Sequence, residues 1–543
     1  MIFFRKTLVP VSVILMAVSA VGAQDAITKA TTQKRKPKAY KVWRADNRID
    51  EFVNAKLKQL GIPPSERCTD EVFVRRAYLD VIGTLPRPRE VTDFLYDSRA
   101  DKRNLLIEEL LGRDEFADYW TLKWCDLLRV KSEFPSNLWP NAVQAYQRWL
   151  QTSIKNNKPY DQFVRELLTS CGSNFRVAPV NFYRAVPNRK PIGLCQTAAL
   201  TFMGIRPDGL SKEQWLGMTP FFASIGFKKT AEWKEEIVFC DPSKKALDPK
   251  TKQPITPTFP DGKTVNLTPM DDPRVVFADW LISAENPWFA QNIVNRVWYW
   301  LLGRGLINEP DDVRPDNPPQ NPELLDYLAE ELIKNDYDLR HIYRLILNSE
   351  TYQRSAVYNS ENLTDEVNFS HYLVRRLDAE VLIDAICQIT GTTESYSSAI
   401  PEPFTWIPDR ERSIKLADGS ITSSFLELYG RPPRDTGYEL ERNNTPSPAQ
   451  KLHLLNSSHI QKKLQAAMKR LLSADGNGGK KKGWVSPAEI IDRAYLAILS
   501  RYPTEEEQEL ALGYMLDSGL KRWAAANDLI WALINTKEFA YRH

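Results

Sequence analysis

The chain has 543 residues and lacks most of the short motifs that assign a function at sight. No Cys-x-x-Cys pair occurs, so the two thiols to which a c-type haem is fastened are missing. The five histidines, His341, His371, His453, His459 and His543, contain no His-x-x-x-His pair, which removes the helical zinc site on local spacing. There is no Gly-x-Ser-x-Gly elbow, phosphate-cradling glycine loop or dinucleotide fingerprint. Beyond residue 23 no stretch reaches the roughly eighteen uninterrupted apolar residues that a spanning helix needs, so no transmembrane segment is expected after signal cleavage. Basic excess is scarce outside the start. Of 72 Lys and Arg and 69 Asp and Glu, residues 1–44 hold nine and one, so the remainder is net acidic. Such a body is not built to bind nucleic acid.

What is present begins with a leader. Arg5 and Lys6 precede an apolar run from Thr7 to Val21, and Val21-Gly22-Ala23 supplies the small residues of a cleavage site. Pro10 and the short run disfavour a retained anchor, and no cysteine follows the cleavage point to take a lipid. Residues 1–23 are read as a signal peptide, and the protein as exported to the periplasm or beyond. Residues 24–45, with Lys34-Arg35-Lys36-Pro37-Lys38, read as a basic flexible linker, solvated rather than bound to an anionic surface. Six cysteines, Cys68, Cys125, Cys171, Cys195, Cys240 and Cys387, allow fifteen pairings in an oxidising compartment. Their wide spacing suits buried free thiols, or one or two bridges that supplement an ordinary core.

Helical periodicity dominates from residue 46, where Asp46 can cap a helix that Gly61 ends. The expected fold class is mainly α: a multi-helix globular protein with helical-hairpin repeats and a small β connector. The helical domains are expected over 46–227 and 271–543, with the extended connector at 228–270. Within the connector Glu236-Ile237-Val238-Phe239 reads as a strand and Asp248–Lys252 as a turn. Ser473 to Gly483 is a Gly/Lys linker.

One segment repeats. Arg76-Ala77-Tyr78-Leu79, Pro86 and Glu90 return at one constant offset as Arg493-Ala494-Tyr495-Leu496, Pro503 and Glu507. Each copy runs on to a similar ending, Leu110–Phe116 or Leu533–Phe539, and Leu345–Tyr352 looks like a third copy of that ending. A reused helical hairpin explains the echo by packing alone.

These residues resemble a known pair of families. Ile49-Asp50, Arg75–Asp80, Gly83–Pro86 and Trp124–Arg129 are similar to the planctomycete cytochrome-associated domain (domain-of-unknown-function family 1549). From Pro273 the chain resembles its usual partner, the planctomycete-specific domain (family 1553). The matching stretches include Val294–Trp298, Gly303–Leu306, Asn317–Pro319, Arg375–Leu377, Gly430–Arg434, Glu441-Arg442 and Leu452–Asn456. The resemblance implies an exported protein whose relatives are often fused to haem-binding domains or encoded near sulfatases. Many relatives carry Cys-x-x-Cys-His between two flanks that here are Phe202–Ile205 and Pro220–Ala223. In this chain Arg206-Pro207-Asp208-Gly209 runs straight on to Lys212, without the cysteines and the histidine, so no c-type haem is expected.

Three sets of residues could carry chemistry. Arg431, Arg434, Glu439, Glu441 and Arg442 form a dense charged cluster. Its guanidiniums could grip a sulfated or acidic glycan and its carboxylates could act as acid and base, or the cluster could simply fasten a loop. Glu309, Asp311, Asp312 and Asp316 crowd one loop as hard calcium-type oxygen ligands would, or as a solvated acidic loop. Among fifteen tryptophans, Trp280, Trp288, Trp298 and Trp300 could stack on sugar rings. Trp298 and Trp300 cannot face the same side of one helix, so one is expected in the core and the other free. Arg76 and Asp80 can pair along a helix, and Arg375, Arg376, Asp378 and Glu380 form a comparable set.

The resulting expectation is an exported, non-catalytic binding or scaffold protein of the cell envelope that supports polysaccharide handling. Its partners would be envelope proteins or glycans, and it would need no cofactor. The alternatives are an enzyme acting on a sulfated or acidic glycan, and a haem-less partner of an electron-transfer system.

Overall fold

A computed structural model describes residues 47–268, 270–471 and 485–543. The leader and basic tail, Asp46 and the 473–483 linker lie outside them. The fold is mainly α, as the periodicity requires. The first described helix, Arg48–Leu60, is capped by Asn47, whose side chain accepts from the Ile49 amide, and Gly61 closes it at φ 70°. No helix among the described residues is long and apolar enough to cross a membrane.

The expected strand forms. Glu236–Cys240 (β3) lies between Gly172–Ser173 (β1) and Ile225–Lys229 (β2) in an antiparallel sheet, with Val238 opposite Gly172 and Phe227. The Asp248 side chain accepts the Lys250 and Thr251 amides, which makes the expected turn. The connector is fastened by Phe259, whose ring stacks between Phe221 and Trp280 at 4.7 Å from each. Trp280 is thus a packing residue.

The two helical stretches do not keep separate cores. One buried apolar cluster runs from Ile49 to Phe539. At its centre Asp114–Leu127, buried on every side from Phe116 onward, meets Pro287–Leu302. Trp120 lies 5.3 Å from Trp300 and 4.5 Å from Tyr343. A helix enclosed all round leaves neither tryptophan outside, so Trp298 and Trp300 are both core residues. The chain's end returns to the middle, where Tyr541–Arg542 (β5) pairs with Arg375–Arg376 (β4).

The repeat is a packing device with a recurring polar clasp. In the first copy Arg113 binds Glu90 and Glu115, and its guanidinium lies 5.5 Å from the Tyr78 ring. In the second, Arg501 binds Glu507 and Glu538 and lies 5.4 Å from Tyr495. The acids and tyrosine keep their places in the repeat; the arginine arrives from a different position in each. All six cysteines are free thiols, with Cys68, Cys125 and Cys195 buried.

Candidate functional site

The helix Asp114–Leu127 projects Tyr119, Lys123 and Asp126 toward Ala379–Thr390, and the 431–442 segment closes over both. Arg442 donates to Asp126 at 2.6 Å and to Glu380 at 2.7 Å, and Arg434 reaches Asp126 at 2.8 Å. Arg431 lies 3.3 Å from Glu380. Asp378 accepts from Lys123 at 3.0 Å, Arg542 at 3.1 Å and Tyr119 at 2.9 Å. Arg542 then lies 3.4 Å from Asp80, which Arg375, Tyr352 and Tyr372 also reach. Arg76 instead turns to the Tyr352 and Arg354 carbonyls, so the expected Arg76–Asp80 pair does not form.

Burial raises the Asp378 carboxyl, but Lys123, Arg542 and Arg442 outweigh it and hold the group well below the usual range. Asp126 is lowered in the same way, against its burial, by Arg442 and Arg434. Lys123 is pulled down by burial, with Asp378 opposing. The network is buried, and its carboxylates face cations at close range.

The acidic loop joins it at another point. Arg296 pairs with Asp311 at 2.6 Å and with Glu439 at 3.4 Å, while the Glu439 amide donates to Asp311 and Trp300 donates to Glu439. Burial raises the Glu439 carboxyl, Arg296 opposes and Asp311 adds to the rise. The other loop acids turn elsewhere: Glu309 to Arg206, Asp312 to Arg206 and Arg314, Asp316 to Arg314. Among the described residues no group of three or more His, Cys, Asp or Glu could hold a metal ion. The four carboxylates therefore do not converge as a calcium set would require.

The expected oxyanion fork at 431–442 is corrected likewise. The Arg431, Arg434 and Arg442 side chains are buried and engaged by internal carboxylates and carbonyls, so they present no surface to a glycan. Glu441 accepts the amides of Asp435 and Thr436, which holds a turn. The cluster is a fastening.

What it fastens is an open groove of about 290 Å³ between the helix Pro140–Lys155 and the chain from Thr405 to Ile421. Arg434 donates to the Ala417 carbonyl at 2.6 Å, and Arg431 donates to those of Asp418 and Ile421. These bonds set the groove's floor. Gly419 donates to Val130, and Asp418 accepts the Ser132 amide at 2.9 Å and the Ser420 amide at 2.8 Å. All these bonds use Oδ1. The second oxygen, Oδ2, is buried and accepts nothing, on a residue only 3% exposed. Gln144 and Gln147 line the helical wall, and Gln151 reaches Asp118 at 2.5 Å.

Aromatic rings continue from the groove's end. Trp406, on its rim, is 65% exposed and Trp233 is 67% exposed. Trp139 lies 5.5 Å from the half-exposed Phe404 and 6.4 Å from Trp233, with Lys234 against both indoles. The loops that carry these rings are strained. Trp139 sits at φ 72° and ψ 147° immediately before its helix, and Asn137, Lys234 and Arg410 are left-handed at 53°, 63° and 64°. Non-glycine residues in such conformations cost energy and cluster at binding sites. None of these ring-bearing loops stood out in the sequence, because Trp139, Trp233 and Trp406 are scattered along it. The one available signal was a set of tryptophans beside Pro and Gly-poor turns, which packing alone also produces.

The groove lies between two recognised segments. Residues 48–198 match the model of PSCyt2, a protein of unknown function (DUF1549), and residues 273–515 match that of PSD1, a protein of unknown function (DUF1553). Gln144 and Gln147 fall in the first and Trp406 and Asp418 in the second, as do the partners on either side of the buried network. Comparison with the curated proteins and with the solved structures finds no match. The chain thus carries a PSCyt2 (DUF1549) segment followed by a PSD1 (DUF1553) segment, both described as being of unknown function.

Proposed function

We propose that this is an exported, non-catalytic binding or scaffold protein of the cell envelope that supports polysaccharide handling. The observation that carries the reading is the groove: exposed indoles lead into a channel walled by amides and floored by a buried carboxylate with one oxygen unpaired. Indole faces stack on the C–H faces of sugar rings, and amides and carboxylates pair with hydroxyls. Large exposed rings gathered in one place are a mark of a binding surface rather than of ordinary solvent exposure. The leader at 1–23 supports export. The reading requires no cofactor.

Affinity gel electrophoresis of the full chain against a panel of polysaccharides tests it, with assay of reducing ends in the same mixtures. Retardation by at least one polymer without release of reducing ends is expected. A chain retarded by none would remove the binding role. Release of reducing ends that stops on Glu411→Gln would instead favour an enzyme, since burial raises the Glu411 carboxyl in the groove wall toward general-acid behaviour.

A further inference from the structure

We propose that the groove takes an uncharged polysaccharide and turns sulfated or uronic chains away, with Asp418 as the residue that sets this preference. The inference rests on the binding reading above and names its ligand class. Three observations support it.

The first is the unpaired acceptor. Asp418 Oδ2 is buried without a donor, although its twin oxygen is satisfied by the Ser132 and Ser420 amides. Buried acceptors are almost always paired, because an unmade bond forfeits the group's hydration without return. A ligand hydroxyl supplies the missing proton. A sulfate ester or carboxylate standing at that position in place of the hydroxyl only accepts, and cannot.

The second is the balance of charge. The groove's ionisable lining is Glu411, Asp418 and Lys415, and Lys415 already faces the Asp118 carboxylate at 3.0 Å. An anionic chain laid in the groove meets carboxylates whose counter-charge is engaged elsewhere. Like-charge juxtaposition is an effective means of rejecting a ligand. Outside the lining, Lys234 lies against the Trp139 and Trp233 rings, and the Arg431 and Arg434 guanidiniums that hold the floor's carbonyls are buried and paired with Glu380 and Asp126.

The third is the form of the remaining polar groups. The Gln144 and Gln147 side chains line the wall as neutral amides, each a donor and an acceptor. Amides with exposed indoles match alternating hydroxyl and C–H surfaces, which is the surface of an uncharged sugar polymer.

The test uses the full chain in affinity gels that contain hydroxyethyl cellulose, dextran sulfate or polygalacturonate at equal mass. Wild-type protein should be retarded by the neutral polymer with an apparent Kd at least tenfold below that for either anionic one. Asp418→Asn keeps the oxygen that accepts Ser132 and Ser420 and replaces the free acceptor with a donor. It should raise the Kd for the neutral polymer tenfold or more at an unchanged Tm. Trp406→Ala, at an exposed position, should weaken the same binding and keeps the test decisive if the first variant fails to fold. Dextran sulfate or polygalacturonate bound as tightly as the neutral polymer would overturn the inference while leaving the binding function standing. Neutral-polymer binding untouched by both substitutions would overturn the site. Retardation by no polymer would remove the parent reading itself.

Discussion

The 431–442 segment and the groove under Trp406 are neighbours in space and opposites in physics. In the first, arginines lie in a buried interior, where Asp126 and Glu380 have guanidiniums at hydrogen-bonding distance. In the second, rings stand in water and a carboxylate oxygen lies unpaired. The two regions are coupled, because the Arg431 and Arg434 guanidiniums hold the carbonyls of the floor that carries Asp418. Charge density marks the part that holds the fold, and exposed rings beside an unpaired carboxylate oxygen mark the part that is open to a ligand. A cluster of charges is therefore a poor pointer to a site when its members can pair with one another; an unpaired polar atom beside exposed rings is the better one.

The comparison is broken most forcefully at Asp378. Asp378→Asn leaves the buried Lys123 and Arg542 facing an uncharged group. Removing one partner from a buried ion pair costs about 3–5 kcal/mol, to be read as a lower midpoint in urea denaturation. A loss below about 1 kcal/mol would mean that the network is better hydrated than its burial indicates.

Acid probes the same network without substitution. Asp378 and Asp126 are depressed below the ordinary value of 3.8, so they bind protons less readily folded than unfolded. Their contribution to stability is complete above about pH 3.8 and is lost as pH falls through the window beneath it. Wild-type protein should keep its urea midpoint down to about pH 4 and lose it steeply below. Asp378→Asn should flatten that acid limb while lying lower at every pH.

Much of this architecture was legible and much of the site was not, for one reason. Periodicity, caps and turns act over a few residues, so the helices, the Glu236–Cys240 strand and the Asp248 turn follow from local chemistry. The hairpin repeat was legible because Tyr78 and Tyr495 keep their spacing from Glu90 and Glu507. Partnership at long range leaves no such trace. Arg296 joins Asp311 to Glu439 across more than a hundred residues, and nothing local distinguishes those acids from solvated ones. Gln144 and Trp406 line one groove from opposite halves of the chain. Trp298 and Trp300 show the same limit, since whether a helix has a free face depends on what surrounds it.

The repeat offers an intermediate case between the buried network and the open groove. Arg113 and Arg501 occupy like clasps that are about a fifth exposed, each against two glutamates and a tyrosine ring. Partial hydration offsets much of the charge attraction, so Arg113→Ala and Arg501→Ala should each cost about 1 kcal/mol in chemical denaturation. Because the clasps share no residue, the double variant should lose the sum of the two. Strong non-additivity would mean that the copies are coupled through the contact between the helices Pro88–Tyr96 and Pro487–Ile498.

The smallest effect on stability belongs to Trp406, and it is the sharpest form of the comparison. Its indole lies mostly in water, so truncation to alanine removes little buried area and leaves no cavity. The urea midpoint of Trp406→Ala should stay within about 0.5 kcal/mol of wild type. Binding of the neutral polymer should nevertheless fall about tenfold, equivalent to about 1.4 kcal/mol. Asp378→Asn should show the reverse at a denaturant-free temperature well below its Tm: a large loss of stability, with the folded fraction still binding the polymer. If Trp406→Ala proved as destabilising as Asp378→Asn, the ring would be part of the fold's support, and the division between a fastening interior and a receptive surface would fail at the residue on which it is most exposed.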